Sequence, residues 1–89
     1  MTAQLNLLDR LVASLPPRLY LCRVDPKQRM SRFYVLAIEP TLFGGYCLVR
    51  EYGRIGSGGR VMRQFFATVD EALEEYRRLR RVKTCRGYV

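Results

Sequence analysis

The sequence predicts an α+β fold: a four-stranded antiparallel sheet, a C-terminal helix packed on one of its faces, and an extra helix at the N-terminus. Three observations carry this expectation. Four short runs of β-branched, aromatic and aliphatic residues follow one another through short connections, which suit hairpins because parallel crossovers need a dozen or more residues. After Thr68, apolar side chains recur at helical spacing. Finally, 89 residues leave room for a single core, so all the elements must share it.

Taken in chain order, Leu5, Leu8, Leu11, Val12 and Leu15 form one apolar stripe, and Pro16-Pro17 stops the helix that carries it. Residues 1–17 are therefore read as an amphipathic helix and 18–89 as the domain proper. The stripe has two candidate partners, the domain itself or a second copy of it. Strands are expected at Leu19–Val24, Phe33–Glu39, Tyr46–Tyr52 and Val61–Ala67. Turn residues separate them: Asp25-Pro26-Lys27-Gln28, Gly44-Gly45 and the glycine-rich run from Gly53 to Gly59. A meander is the economical topology. Thr68-Val69-Asp70-Glu71 is a capping box that opens the last helix, with Thr68 as N-cap. Val69, Ala72, Leu73, Tyr76, Leu79 and Val82 give that helix its apolar face. Arginines and Lys83 crowd its last turns, where they suit the helix dipole. A pair at Glu74 and Arg78, four residues apart, is expected on its outer side.

Charge bounds the function. Sixteen basic against eight acidic residues leave +8, and 14 of the 16 are arginines. Such an excess points to a polyanionic partner, nucleic acid above all, and the planar arginine fork suits phosphate better than lysine does. A run of 18 apolar residues is missing, as are the features of a secretory signal at the N-terminus, so no membrane is expected and the location is read as cytoplasmic. Cys22, Cys47 and Cys85 are an odd set without close spacing, and there is no histidine, which speaks against a zinc site. Cys22 and Cys47 are read as reduced core residues, and Cys85 as inert. No cofactor and no small-molecule substrate are expected. Without a histidine, a carboxylate pair or an activated Ser or Cys, the chain reads as a binding protein and not an enzyme.

The segment Glu51-Tyr52-Gly53-Arg54-Ile55-Gly56-Ser57-Gly58-Gly59-Arg60 joins the third and fourth strands. Its backbone N–H groups could turn toward an anion, but it lacks the Gly-Lys-Ser/Thr ending of a P-loop and leads into a strand, so a plain turn explains it locally. In its setting it resembles the signature of the WGR domain. The order of features is similar too: Phe33-Tyr34-Val35-Leu36 first, then Tyr52-Gly53-Arg54-Ile55-Gly56, then Phe65-Phe66, a helix opening with Glu71-Ala72, and the close Lys83-Thr84-Cys85-Arg86-Gly87-Tyr88. The resemblance covers roughly residues 19–89.

The resemblance implies a nucleic-acid-binding module, on DNA ahead of RNA, held by phosphate contacts and engaging strand ends with a 5′ phosphate. Carried over, Tyr52 is the stacking residue, Arg60 and Arg63 are the phosphate contacts, and Arg54 matches an arginine that bridges to neighbouring domains in the polymerases of the family. Here Arg54 is either free for phosphate or used on a separate partner. Arg81 and Lys83 join the set from the run Arg77-Arg78-x-Arg80-Arg81-x-Lys83, which otherwise reads as a solvated helix face. Tyr52 stands where the family carries tryptophan. Either it keeps a weaker stacking role, or it has become a core or hairpin residue. Arg23, Lys27, Arg29 and Arg32 either extend the basic surface or merely solubilise a loop, while Tyr34 and Tyr46 are read as sheet packing. The alternative function is a protein-interaction module, docking a protein partner or forming a homodimer through the N-terminal helix or the Tyr52-Gly53-Arg54 hairpin.

Overall fold

The computed structural model describes residues 15–89. Four strands, β1 (Leu19–Asp25), β2 (Met30–Pro40), β3 (Tyr46–Arg54) and β4 (Arg60–Phe66), form one antiparallel sheet in sequence order, and helix α1 (Val69–Cys85) follows. The meander and the C-terminal helix are as the sequence predicts. Of the segment read as an N-terminal helix, residues 1–14 lie outside the described residues, and Leu15 and the two prolines after it are not helical.

Strand β1 ends one residue later than expected and β4 lies one residue earlier, while β2 and β3 outrun their expected bounds by more, for local reasons. Asp25 accepts a hydrogen bond from the Lys27 N–H at 3.1 Å, and Pro26–Gln28 make one 3-10 turn closed by Arg29 in the left-handed region. That turn needs so few residues that Asp25 already pairs with Met30, and β2 begins three residues early. At the other hairpin, Gly53 and Arg54 stay in register with Phe33 and Arg32, so β3 runs past Tyr52 into the motif.

Strand alternation sorts side chains onto two faces. Leu19, Leu21, Tyr34, Leu36, Ile38 and Leu48 point to the face that α1 covers, where Ala72, Tyr76 and Leu79 meet them. Leu36 and Leu48 are fully buried. The chain enters on this same side: Leu15 packs against the core and the Pro17 carbonyl accepts the Tyr76 hydroxyl proton at 3.1 Å. The opposite face carries Tyr20, Phe33, Val35, Val49, Val61 and Phe65.

The two ends of α1 are closed differently, the first by a side chain and the second by the backbone. Thr68 Oγ1 accepts the Glu71 N–H at 3.3 Å, satisfying one of the donors that the first turn of a helix leaves without a backbone partner. At the C-terminus, the Tyr88 N–H reaches the Lys83 carbonyl and the Gly87 N–H the Thr84 carbonyl, each at 3.1 Å, with Gly87 at φ +94°. This is a Schellman close, which needs a glycine at the left-handed position. It folds Tyr88 back into the core and lays Val89 beside β1, where it exchanges two 2.9 Å backbone hydrogen bonds with Cys22. On the outer face Arg78 pairs with Glu75, three residues before it, instead of the expected Glu74. The shorter spacing brings two nitrogens to both carboxylate oxygens and holds Glu75 below the usual carboxylate range. Of the cysteines, Cys47 is buried, Cys22 half-buried and Cys85 exposed, all unpaired. No described helix is long and apolar enough to cross a membrane.

The glycines of the motif have a packing role. A Cβ on Gly59 would stand 2.6 Å from Cζ of Phe33 and 2.9 Å from the Tyr52 carbonyl oxygen. Gly53 is also closely packed, against the Gly59 backbone and the Phe33 ring. The aromatic ring thus fills the space two missing side chains leave. Gly59→Ala is expected to destabilise the domain by about 1–3 kcal/mol, seen as a lower urea midpoint with an unchanged slope.

Candidate nucleic-acid interface

Three arginines form a row across the covered face of the sheet. Arg23 pairs with Arg32, and Arg32 pairs with Arg54, each directly opposite its neighbour on the next strand. Side chains directly opposite each other on neighbouring strands share a face only a few ångströms apart, so like charges there oppose folding. Arg50 and Arg60 extend the same face, Arg50 two residues before Tyr52 on β3 and Arg60 opposite Tyr52 on β4. Helix α1 supplies Lys83, and its close supplies Arg86.

Of these cations Arg32, Arg50, Arg54, Lys83 and Arg86 line two adjoining depressions that share Tyr52 and Lys83. One is lined by Tyr34, Arg50, Tyr52, Met62, Leu79, Val82, Lys83 and Arg86; the other by Arg32, Tyr52, Gly53, Arg54, Lys83 and Tyr88. Five cations and no carboxylate are among the described residues lining them. Lys83 records the crowding. Its ammonium lies 4.6 Å above the Tyr34 ring and 5.4 Å from that of Tyr88. Its pKa sits below the ordinary lysine value, through burial first and then through Arg86, Arg50 and Arg32. An anion entering here meets cations that already repel one another, so its arrival relieves a cost instead of adding one.

Tyr52 is half-buried. Its ring stacks on Tyr34 with centroids 6.0 Å apart and planes 19° apart, and its hydroxyl donates to Sδ of Met62 at 3.4 Å. Tyr34 is buried, as expected of a packing residue; burial raises its pKa and the neighbouring Arg50 opposes the rise. One side of Tyr52 thus belongs to the core and the other borders both depressions.

The expected site residues separate into two groups. Tyr52, Arg54, Arg60 and Lys83 come together. Arg63 does not join them: it pairs with Val49 on the opposite face, in a hollow with Arg18, Glu39 and Glu51. Arg81 lies on the outer side of α1 with Arg77, Arg80, Thr84 and Cys85. Arg50 and Arg86, which the sequence pattern did not single out, line the depressions, and Arg32 leaves its loop to join them. Two backbone donors of the glycine run are spent within the fold. The Ser57 N–H goes to the Arg54 carbonyl and the Ile55 N–H to that of Ser31, so both donors are already used.

Residues 18–89 match the family model described as the WGR domain. The chain belongs to the WGR family. The WGR domain is generally a nucleic-acid-binding module. In this WGR chain the closing motif Lys83-Thr84-Cys85-Arg86-Gly87-Tyr88 is the Schellman stop of α1, and it sets Lys83 and Arg86 over the sheet. A similar protein is Uncharacterized protein y4dW of Sinorhizobium fredii (strain NBRC 101917 / NGR234). It is 45% identical over 78 residues, a match taking in 88% of this chain and 38% of that protein. The chain therefore spans well under half the length of that curated relative. No solved structure matches it significantly.

Proposed function

We propose that this WGR domain is a binding module without chemistry of its own, acting in the cytoplasm on DNA and gripping the phosphate backbone with the covered face of the sheet. The observation that carries the reading is the Arg23–Arg32–Arg54 row, a like-charge arrangement that opposes folding and is set beside an acid-free depression. Arg32, Arg50, Arg54, Arg60, Lys83 and Arg86 hold phosphates. Tyr52, backed by Tyr34, offers its free side to the sugar or base of a strand end, and a terminal 5′ phosphate sits among the arginines beside it.

A titration of blunt and nicked duplexes, with and without a 5′ phosphate and at two salt concentrations, tests this. Affinity is expected to fall steeply with salt, because each neutralised phosphate releases counterions. The 5′-phosphorylated ends should bind more tightly. Tyr52→Ala should cost about tenfold on ends, in line with ~1–3 kcal/mol per stacked base, while Tyr52→Phe keeps most of that affinity. Absence of binding at low salt removes the reading, and indifference to the 5′ phosphate removes its end-recognition part alone.

A further inference from the structure

The face of the sheet turned away from α1 differs from the basic face in both charge and polarity. Tyr20, Val61 and Phe65 are large apolar side chains exposed on it, Phe65 to 70%, beside Val35, Val49 and a Phe33 ring stacked on Tyr20. These apolar side chains alternate with charges on the same face: Glu51 lies between Val35 and Val61 across the strands, and Arg63 between Val61 and Phe65 along β4. Its charges are two cations and two carboxylates: Arg18 and Arg63 with Glu39 and Glu51, the Arg18–Glu51 pair at 3.8 Å. On a chain of net charge +8, this face is balanced. A polyanion finds no surplus charge there.

We infer that this face is where two copies of the chain pair, sheet against sheet. Two molecules carrying +8 each repel over most of their surface, and on this face each offers the other both acids and bases. A second copy brings the same set reversed, so the carboxylates of one answer the arginines of the other, while Tyr20, Val61 and Phe65 are buried between sheets packed about 10 Å apart. Pairing through the β4 edge is poorer: a two-fold axis at the middle of Arg60–Phe66 sets Arg63 against its own copy. In the face-to-face dimer the two basic faces point outward on opposite sides, which makes the pair bivalent for nucleic acid.

Sedimentation equilibrium on the full chain tests this directly. The expected mass is twice the 10.4 kDa of one chain. Tyr20→Lys with Phe65→Lys, both solvent-facing in the single copy, should return the mass to one chain with the circular dichroism and melting curve of the folded domain. Amide chemical shifts followed across protein concentration give a second readout that needs no variant, with movement expected at Tyr20, Val35, Val49, Val61 and Phe65. A wild-type chain that stays monomeric overturns the proposal and leaves the face to a foreign protein. A dimer that survives the double change, or shifts confined to α1 or to residues 1–14, overturns it too.

Discussion

Replacing Arg32, Arg50 and Arg54 together by alanine is expected to weaken DNA binding by about three orders of magnitude, at ~1.4 kcal/mol for each charged hydrogen bond removed. The slope of log affinity against log salt should shrink by ~0.9 for each phosphate no longer neutralised, close to three units in all if each arginine holds one phosphate. Arg63→Ala with Arg81→Ala removes nearly as much charge from the other sheet face and the outer side of α1. It should produce only the general weakening that lower net charge brings. Stability separates this outcome from simple unfolding. Arg32 and Arg54 stand directly opposite each other, so the triple variant relieves a repulsion of roughly 0.2–1 kcal/mol and should melt at or above the wild-type temperature. A variant that loses binding and stability together points to a structural role for these arginines.

Leu36→Ala should have the largest effect on the fold. Leu36 is fully buried, flanked by Leu19 on β1 and Arg50 on β3 and lying in the core that α1 closes. Deleting its side chain removes transfer free energy and leaves a cavity the neighbouring strands cannot collapse, at a cost of about 2–5 kcal/mol. A domain of this size has roughly 4–13 kcal/mol to lose. Each kcal/mol moves the melting temperature by about 4–8 °C, so a calorimetric fall of about 8 °C or more is expected. Phe65→Ala is a useful contrast: its ring is mostly exposed, and a single copy should hardly register the loss.

Much of this architecture was legible in the residues. Thr68 and Glu71 announced the helix start, Gly44-Gly45 and the Gly53–Gly59 run announced two hairpins, and β-branched and aromatic runs between turn residues gave the strands. The site was legible only in part, and the missing parts differ in kind. Arg60 and Arg63 are three apart on a strand, so they cannot share a face; Arg81 and Lys83 are two apart on a helix, so they cannot share a side. That signal was present in the spacing. Arg50 was equally available, two residues before Tyr52 and two more from Arg54. Arg32 required two further things, the early start of β2, which depends on how few residues the Pro26–Gln28 turn consumes, and the pairing of β2 with β3. Arg86 required the geometry of the helix stop. A register is a long-range outcome that no local pattern announces, whereas Gly87 just past the last helical turn was a local sign of the stop.

The unequal loading of the two sheet faces also bears on how the molecule arrives at a partner. Crowded cations on one side and a balanced set on the other give the domain an electric dipole running through the sheet. In the field of a polyanion such a particle turns while it diffuses, so more of its collisions begin with Tyr52 and its arginines leading. Orientation is ordinarily what holds association rates orders of magnitude below the collision limit. The arginine row that opposes folding on β1, β2 and β3 would therefore act first on the rate of encounter, before the two molecules touch.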